Sequence, residues 1–262
     1  LDYRDVKNPE AVRAMTHYHF KDNEKTKYKR GLILAKNGLV ASHRYPALYS
    51  GKTLVSWDTL KILPYYNSMA ANKGLCWWSH DIGGYMGGIE EANLYIRYIE
   101  LACFSPIFRL ASEGGKYYKR EPWKWDVKTL KIVEDYANLR HRLIPYLYTE
   151  AYKYSSTGKP FIEPLYYANP EIYDEPLYKN EYRFGTELLV APITSRKDPL
   201  MNRTVERIFL PEGVWYDFKT GKRFNGNKRY VAFFKDEDYP VFAKSGSIIP
   251  LANLEENRTI TT

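Results

Sequence analysis

The sequence predicts an α/β part followed by an all-β part. Up to about residue 160, short apolar runs alternate with longer stretches in which apolar residues recur every three or four positions, a pattern typical of a sheet covered by helices. Beyond residue 160, short apolar or aromatic runs follow one another without helical stretches between them, which is typical of a β-sandwich. We therefore expect one domain over residues 1–160 and a β-sandwich domain over residues 161–262.

The α/β part is expected to contain four strand–helix units. The expected strands include residues 31–36, 74–78 and 106–110, and the expected helices cover residues 9–20, 57–72, 90–104 and 127–156. Pro64 and Pro145 should interrupt or kink the helices that contain them, because proline lacks a backbone donor and clashes with the preceding turn. Gly158 and Pro160 then end the last helix.

The all-β part contains short strand patterns at nearly regular spacing. They cover residues 188–193, 207–210, 214–218, 230–234 and 247–251. Gly221 lies in the segment Lys219–Lys222 and supplies a glycine-containing hairpin turn. This spacing favours two antiparallel sheets packed on each other.

Composition argues against a nucleic-acid partner. The chain carries a formal net charge of +8, yet its lysines and arginines are scattered and form no basic run on one helix face, whereas nucleic-acid-binding proteins concentrate theirs. Aromatic residues reach 16% and include 25 Tyr, which suits a site that stacks flat rings on sugars or bases and equally suits an aromatic core.

The two cysteines and the lengths of the apolar runs indicate the cellular compartment of the protein. Cys76 and Cys103 lie in apolar segments, so we expect buried free thiols and a reducing, cytoplasmic location. No apolar run is long enough to span a bilayer, and we expect no membrane partner. The segment Leu1–Lys7 shows neither an initiator Met nor a signal-peptide pattern, so we expect the sequence to begin within a longer protein.

The most distinctive stretch is Trp77–Gly84, an aromatic run that ends in Asp81 and is followed by two glycines. An acid at the end of a barrel-type strand faces a ligand, although the same acid could be a helix N-cap or a buried ion-pair partner. His17 and His19 alternate with aromatic residues. Because no third ligand with suitable spacing is evident, we favour packing or a turn there and expect no metal and no cofactor.

The order of several motifs resembles glycoside hydrolase family 31, the α-glucosidase and α-xylosidase family. The matching segments are Ser50–Thr53 with Val55–Trp57, Trp77–Gly84, Phe104–Arg109, Leu210–Asp217 and Ala243–Pro250. The family fold is a (β/α)₈ barrel flanked by β-sandwiches. The resemblance implies that residues 1–160 form the second half of the barrel, and that the sequence starts after the family's nucleophilic Asp at the end of the fourth strand.

The resemblance also implies site residues, position by position. Lys52 occupies the position of the family's acid/base Asp, Lys36 that of a sugar-binding Arg, and Ala111 that of a His. The positions that still match are Asp81, which would bind glucose hydroxyls, Arg109 nearby, Trp78 and Tyr85 as walls of the site, and Tyr49 before the acid/base position.

The implied function is that of a retaining α-glucosidase, which removes terminal α-linked glucose from oligosaccharides. Retaining hydrolysis needs two carboxyl groups, and neither the nucleophile nor the acid is present, so we expect the chain to be inactive alone. The alternative is a relative that binds carbohydrate or serves as an assembly partner without catalysis. In either case we expect an α-glucoside ligand and pairing with an N-terminal half or a second copy.

Overall fold

The structure is a computed structural model that describes residues 9–27, 30–36 and 42–254. The elements before residue 160 are α1 (Pro9–Lys27), β1 (Ile33–Ala35), β2 (Pro46–Tyr49), β3 (Leu54–Val55), α2 (Trp57–Asn72), β4 (Trp78–Ser79), β5 (Met86–Gly88), α3 (Ala92–Cys103), α4 (Val127–Arg142) and α5 (Ile144–Thr157), with 3₁₀ helices at Ser42–Arg44 and Pro122–Lys124.

Strands predominate after residue 160. They are β6 (Ile162–Pro164), β7 (Tyr182–Phe184), β8 (Leu188–Val190), β9 (Thr204–Leu210), β10 (Val214–Asp217), β11 (Arg223–Asn225), β12 (Lys228–Phe234) and β13 (Val241–Lys244), with 3₁₀ helices at Leu165–Tyr167 and Pro170–Asp174. The change from mixed to β structure that the sequence predicts is therefore confirmed, while the domain boundary itself stays a prediction.

A short parallel sheet organises the first part. Its order is β1-β2-β4, and both pairs are parallel. The strand expected at 106–110 is reduced to two parallel bridges, between Ser79 and Ile107 and between Ile82 and Leu110. Four segments thus lie side by side in chain order, and their carboxyl ends meet at one edge.

Helix ends follow local chemistry. The Ser56 hydroxyl accepts from the Thr59 amide (3.1 Å) at the start of α2, and the Asp126 carboxylate accepts from the Thr129 amide (3.0 Å) at the start of α4, as N-caps do. The predicted helix over 127–156 is split at Leu143, with Pro145 in the first turn of α5. Pro64 does not interrupt α2, which continues through it, and the alternative of a kink there stays a prediction.

The second part contains two antiparallel sheets. One has the order β11-β10-β13-β8-β7-β6, and the other pairs β12 with β9. A core cluster contains side chains from both sheets, including Leu189, Phe209 and Trp215. The prediction of a strand at 247–251 is wrong, because the strand of this region is β13, which ends at Lys244. Gly246 (φ +85°) turns the chain after β13, and Ile248 is 85% exposed.

The two parts share one apolar core across residue 160, with a buried ion pair at its edge. The Arg97 guanidinium on α3 is fully buried, pairs with Glu100 (2.7 Å), and donates to the carbonyls of Lys235 and Asp238 (both 2.9 Å). The Tyr182 hydroxyl donates to the Phe104 carbonyl (3.0 Å). These bonds link α3 to the connection between β12 and β13 and to β7.

We predict that Gly88→Ala destabilises the chain more than the matched change Gly221→Ala. Both glycines have left-handed backbones, with φ +74° and φ +72°, so both substitutions incur a strain of about 1–2 kcal/mol. At Gly88 an added Cβ would also lie 1.9 Å from the Val55 carbonyl oxygen, whereas nothing lies within 4 Å at Gly221. Urea unfolding should show at least twice the loss for Gly88→Ala. Equal losses would mean that β3 and β5 do not approach as described.

Candidate functional site

The parallel strands deliver polar and aromatic side chains to one edge of the sheet. Lys36 directly follows β1, Tyr49 ends β2, and Lys52 lies three residues beyond it. Asp81 follows β4 by two residues, and Arg109 follows the bridge at Ile107 by two. These side chains, far apart in sequence, form the contacts described next.

Asp81 and Arg109 form the centre of the site. Asp81 is 2% exposed, and its Oδ1 accepts from Arg109 Nη2 in an ion pair. Arg109 Nε also donates to Ser79 Oγ (3.2 Å), and its guanidinium lies 4.9 Å from the centre of the Tyr49 ring. Asp81 is therefore a buried ion-pair partner, one of the alternatives considered from the sequence, and it also lies at the edge of the site.

The second carboxylate oxygen of Asp81 is buried and has no hydrogen-bond partner among the described residues. Burial raises the pKa of Asp81 above its ordinary value, and the charges of Arg109, Lys52 and Lys36 oppose this rise. A buried carboxylate oxygen without a donor is costly unless a ligand or water donates to it. Asp81 Oδ2 is thus available to accept from a ligand hydroxyl.

Lys52 and Tyr85 form a second contact pair. The Lys52 ammonium lies 4.6 Å from the centre of the Tyr85 ring, within the range of a cation–π interaction. The Tyr85 amide donates to the Thr53 carbonyl (2.8 Å), which holds the loop after Asp81 against the segment after β2. Lys36 lies beside this segment, because its Cε would be 3.3 Å from a Cβ on Gly51.

His80 connects the strand ends from the interior. It is 1% exposed, its Nδ1 lies 3.0 Å from Ser50 Oγ, and its Nε2 lies 2.9 Å from Asn67 Oδ1 on α2. Burial, followed by the charge of Arg109, lowers the pKa of His80 from 6.5 to about 3. The neutral ring therefore supports the chain on both sides of Asp81, as expected of a structural histidine.

Trp78 is directed differently from the other predicted site residues. Alternate residues of a strand point to opposite faces, so Trp78 and Ser79, the two residues of β4, point to opposite faces of the sheet. The Trp78 ring meets the His80 ring edge to face at 6.3 Å between centroids. Its indole nitrogen is buried without a partner among the described residues. Its role as a wall of the site stays a prediction.

The sequence did not predict Arg120 and Glu90, two residues that position the loop after Asp81. Arg120 is 6% exposed and donates from Nε and Nη2 to the Gly84 carbonyl (3.1 and 2.9 Å), and its Nη1 contacts both oxygens of Glu90 (2.8 and 3.0 Å). The guanidinium lies so close to Gly83 that an added Cβ would be 2.7 Å from Nε. The consecutive glycines were the available signal, since such pairs permit close approach.

The described residues were also compared with the requirements of a metal site and of a membrane span. No group of three or more His, Cys, Asp or Glu residues in the part of the chain that the structure describes could hold a metal ion. His17 Nδ1 instead lies 2.7 Å from the Tyr45 hydroxyl. No helix among the described residues is long and apolar enough to cross a membrane. Cys76 and Cys103 are buried free thiols, as predicted.

Two family profiles match the chain in sequence. The glycosyl hydrolases family 31 TIM-barrel domain matches residues 3–150, and the glycosyl hydrolase family 31 C-terminal domain matches residues 158–249. The chain belongs to glycosyl hydrolase family 31. The family resemblance inferred from the motifs is therefore confirmed.

Several relatives of the chain are named as α-glycosidases. The α-xylosidase of Saccharolobus solfataricus is 28% identical over 87% of this chain and 31% of its own length. The neutral α-glucosidase C of Mus musculus is 30% identical over 85% of this chain and 24% of its own length. The chain thus spans less than a third of the length of these two relatives.

Solved family 31 structures match the described fold. The family 31 dextranase of Flavobacterium johnsoniae, complexed with glucose, is 26% identical with a TM-score of 0.85, covering 95% of this chain and 32% of the dextranase. A family 31 α-xylosidase from a soil metagenome, complexed with xylose, is 25% identical with a TM-score of 0.80, covering 90% of this chain and 38% of the xylosidase.

We predict that His80 makes the stability of the chain fall as the pH is lowered. The unfolded state takes up a proton near pH 6.5, whereas the folded state does so only near pH 3. Between these values the free energy of unfolding should fall by about 1.4 kcal/mol per pH unit. The His80→Gln variant lacks this proton uptake. The free energy of unfolding of the wild type minus that of the variant should therefore fall by about 2–3 kcal/mol from pH 6.5 to 4.5. A difference that is independent of pH would contradict the neutral buried imidazole.

Proposed function

We propose that this chain provides part of the sugar-binding site of a retaining α-glucosidase-type glycoside hydrolase, which removes terminal α-linked glucose from oligosaccharides. The observation that carries the proposal is the buried Asp81–Arg109 pair at the carboxyl edge of the parallel strands, with Asp81 Oδ2 left to accept from a sugar hydroxyl. Family membership and relatives named as α-glucosidases support the same reaction class. Isomaltotriose bound to the dextranase of Flavobacterium johnsoniae supports an α-glucoside as ligand.

In this proposal the parallel segments correspond to the second half of a (β/α)₈ barrel, and the two antiparallel sheets to a C-terminal β-sandwich. The order β1-β2-β4 followed by the bridge at Ile107 supports the first assignment. The core cluster that includes side chains from both antiparallel sheets supports the second. Buried thiols are compatible with a cytoplasmic location, which remains a proposal.

We infer that the 262 residues by themselves do not supply both carboxyl groups for hydrolysis. Retaining cleavage uses two carboxyl groups about 5 Å apart, and the acid/base position carries Lys52. A lysine ammonium is a poor proton donor at neutral pH, because its ordinary pKa is about 10.4. At about 5 Å and an effective dielectric constant of about 20, its charge would raise the energy of an oxocarbenium ion by about 3 kcal/mol.

The alternative function is carbohydrate binding or assembly without catalysis. It is favoured by Lys52 itself, whose ammonium lies against the Tyr85 ring in a stable contact instead of presenting a carboxyl group. Glycosidase activity and carbohydrate binding both require Asp81 to bind a sugar, whereas an assembly role does not. Glycosidase activity also requires carboxyl groups from another segment or chain to complete the site.

The open edges of the parallel sheet support a partner. Among the described residues β1 pairs only with β2. Leu34 on β1 is 46% exposed, and Leu32, just before β1, is 74% exposed. Parallel sheets are normally covered on both faces, and unpaired edges favour association. We therefore propose that an N-terminal half of the barrel, or a second copy of the chain, covers this edge.

We predict that the purified 262-residue chain does not hydrolyse p-nitrophenyl α-glucoside above the buffer rate. The reason is that no carboxyl group occupies position 52 and no family nucleophile is present. The measurement is release of p-nitrophenol at neutral pH. Turnover that persists through purification and disappears in Asp81→Ala would overturn the prediction.

We predict that Asp81→Asn weakens the affinity for isomaltotriose at least tenfold. A hydrogen bond from a sugar hydroxyl to a charged acceptor contributes about 1.5–3 kcal/mol, and the amide keeps the shape while it removes the charge. Calorimetry or ligand-observed NMR measures the affinity, with the exposed Asp174→Asn as matched control. If both variants bind as the wild type does, Asp81 is not the sugar-binding carboxylate.

We predict that the chain associates in solution. Light scattering at rising concentration should show a mass above that of one 30.8 kDa chain, and Leu34→Lys on β1 should reduce it because a charge disfavours edge pairing. The exposed Leu200→Lys, in the second part, is the control. A monodisperse monomer with a cooperative thermal transition would count against a partner at this edge.

A further inference from the structure

The charges at the strand ends do not balance. Arg109 is paired with Asp81. Lys36 and Lys52 are both exposed, and neither joins an ion pair within the described residues. The site therefore carries two positive charges in excess of its one carboxylate. A single carboxylate supplied by another segment or chain would still leave one in excess.

The side chains of Lys36 and Lys52 both lie near the segment that follows β2. Lys36 extends from the end of β1 to the backbone of Gly51, the residue before Lys52. The Lys52 ammonium lies over the Tyr85 ring, a contact that positions an ammonium group without neutralising it. The charges of both lysines also oppose the rise in the pKa of Asp81 that burial causes.

Two unmet requirements thus coincide in one site. The Asp81 Oδ2 atom is buried and needs a hydrogen-bond donor. The two exposed ammonium groups attract an anion, for which lysine acts as a flexible point charge. Neutral glucose would satisfy Asp81 Oδ2 without pairing the lysines, and inorganic phosphate would pair the lysines without supplying a sugar ring.

We propose that the site binds an anionic sugar, a hexose carrying a phosphate, sulfate or carboxylate group, with hydroxyls on Asp81 and the anionic group between Lys36 and Lys52. This inference rests on the proposed sugar-binding role of Asp81 and specifies its ligand class. The exposed lysines also raise the local concentration of anions, an effect that salt weakens.

The test compares four probes on the full 262-residue chain: glucose, glucose 6-phosphate, glucuronate and inorganic phosphate. Calorimetry at low and high salt measures each affinity. We expect the two anionic sugars to bind at least tenfold more tightly than glucose at low salt, because charge-assisted hydrogen bonds are about twice as strong as neutral ones. Added salt should narrow this difference.

Variants assign the effect to individual side chains. Lys52→Met and Lys36→Met should each reduce the preference for the anionic sugars over glucose about tenfold. Lys61→Met, an exposed lysine on α2, is the matched control. Asp81→Asn should weaken all three sugars and leave inorganic phosphate unaffected.

Three outcomes would overturn the inference. If inorganic phosphate binds as tightly as glucose 6-phosphate, the sugar is not recognised and the lysines bind any anion. If the lysine variants keep the preference, the anionic group lies elsewhere. If Asp81→Asn weakens glucose binding but no anionic sugar binds more tightly than glucose, the anionic-sugar inference fails. The proposed sugar-binding site is then still supported. Absence of binding by any sugar would contradict both.

Discussion

An aspartate carboxylate that is almost fully removed from water has to be paired, and the ion pair between Asp81 and Arg109 meets this requirement. It joins the segment after β4 to the segment after Ile107, and through the Tyr49 ring it reaches the end of β2. Because Arg109 engages only one carboxylate oxygen, the other remains for a ligand. The same interaction thus organises the site and leaves it incomplete.

Rigid support surrounds this pair. His80 bonds Ser50 on one side and α2 on the other, and Arg120 holds the carbonyl of the loop that follows Asp81. Their effect is to restrict the strand ends, since a site held by buried hydrogen bonds loses less entropy on binding.

The chain belongs to family 31, and we propose that its site departs from the family chemistry. Fold depends on buried apolar faces and strand pairing, which tolerate change at a few exposed positions. Catalysis depends on carboxyl groups at particular points, and in the proposed alignment the exposed Lys52 stands where the family has such a group. A lysine there would also change the charge of the site, so in our proposal Lys36, Lys52 and Asp81 set the ligand class together.

The sequence by itself determined the helix positions, the change to strands near residue 160 and the family. N-caps such as Ser56, the residues around Gly158 and the apolar periodicity are local signals, and local chemistry is enough for them. It missed β3, β5, β6, β7 and β11. It also placed a strand at 247–251, because apolar residues near a turn resemble a strand.

Only the tertiary structure decided that Lys36 lies beside Gly51, that Lys52 rests on Tyr85, and that Trp78 faces His80. These contacts join separate strands, and no local pattern encodes which long side chain crosses to which neighbour.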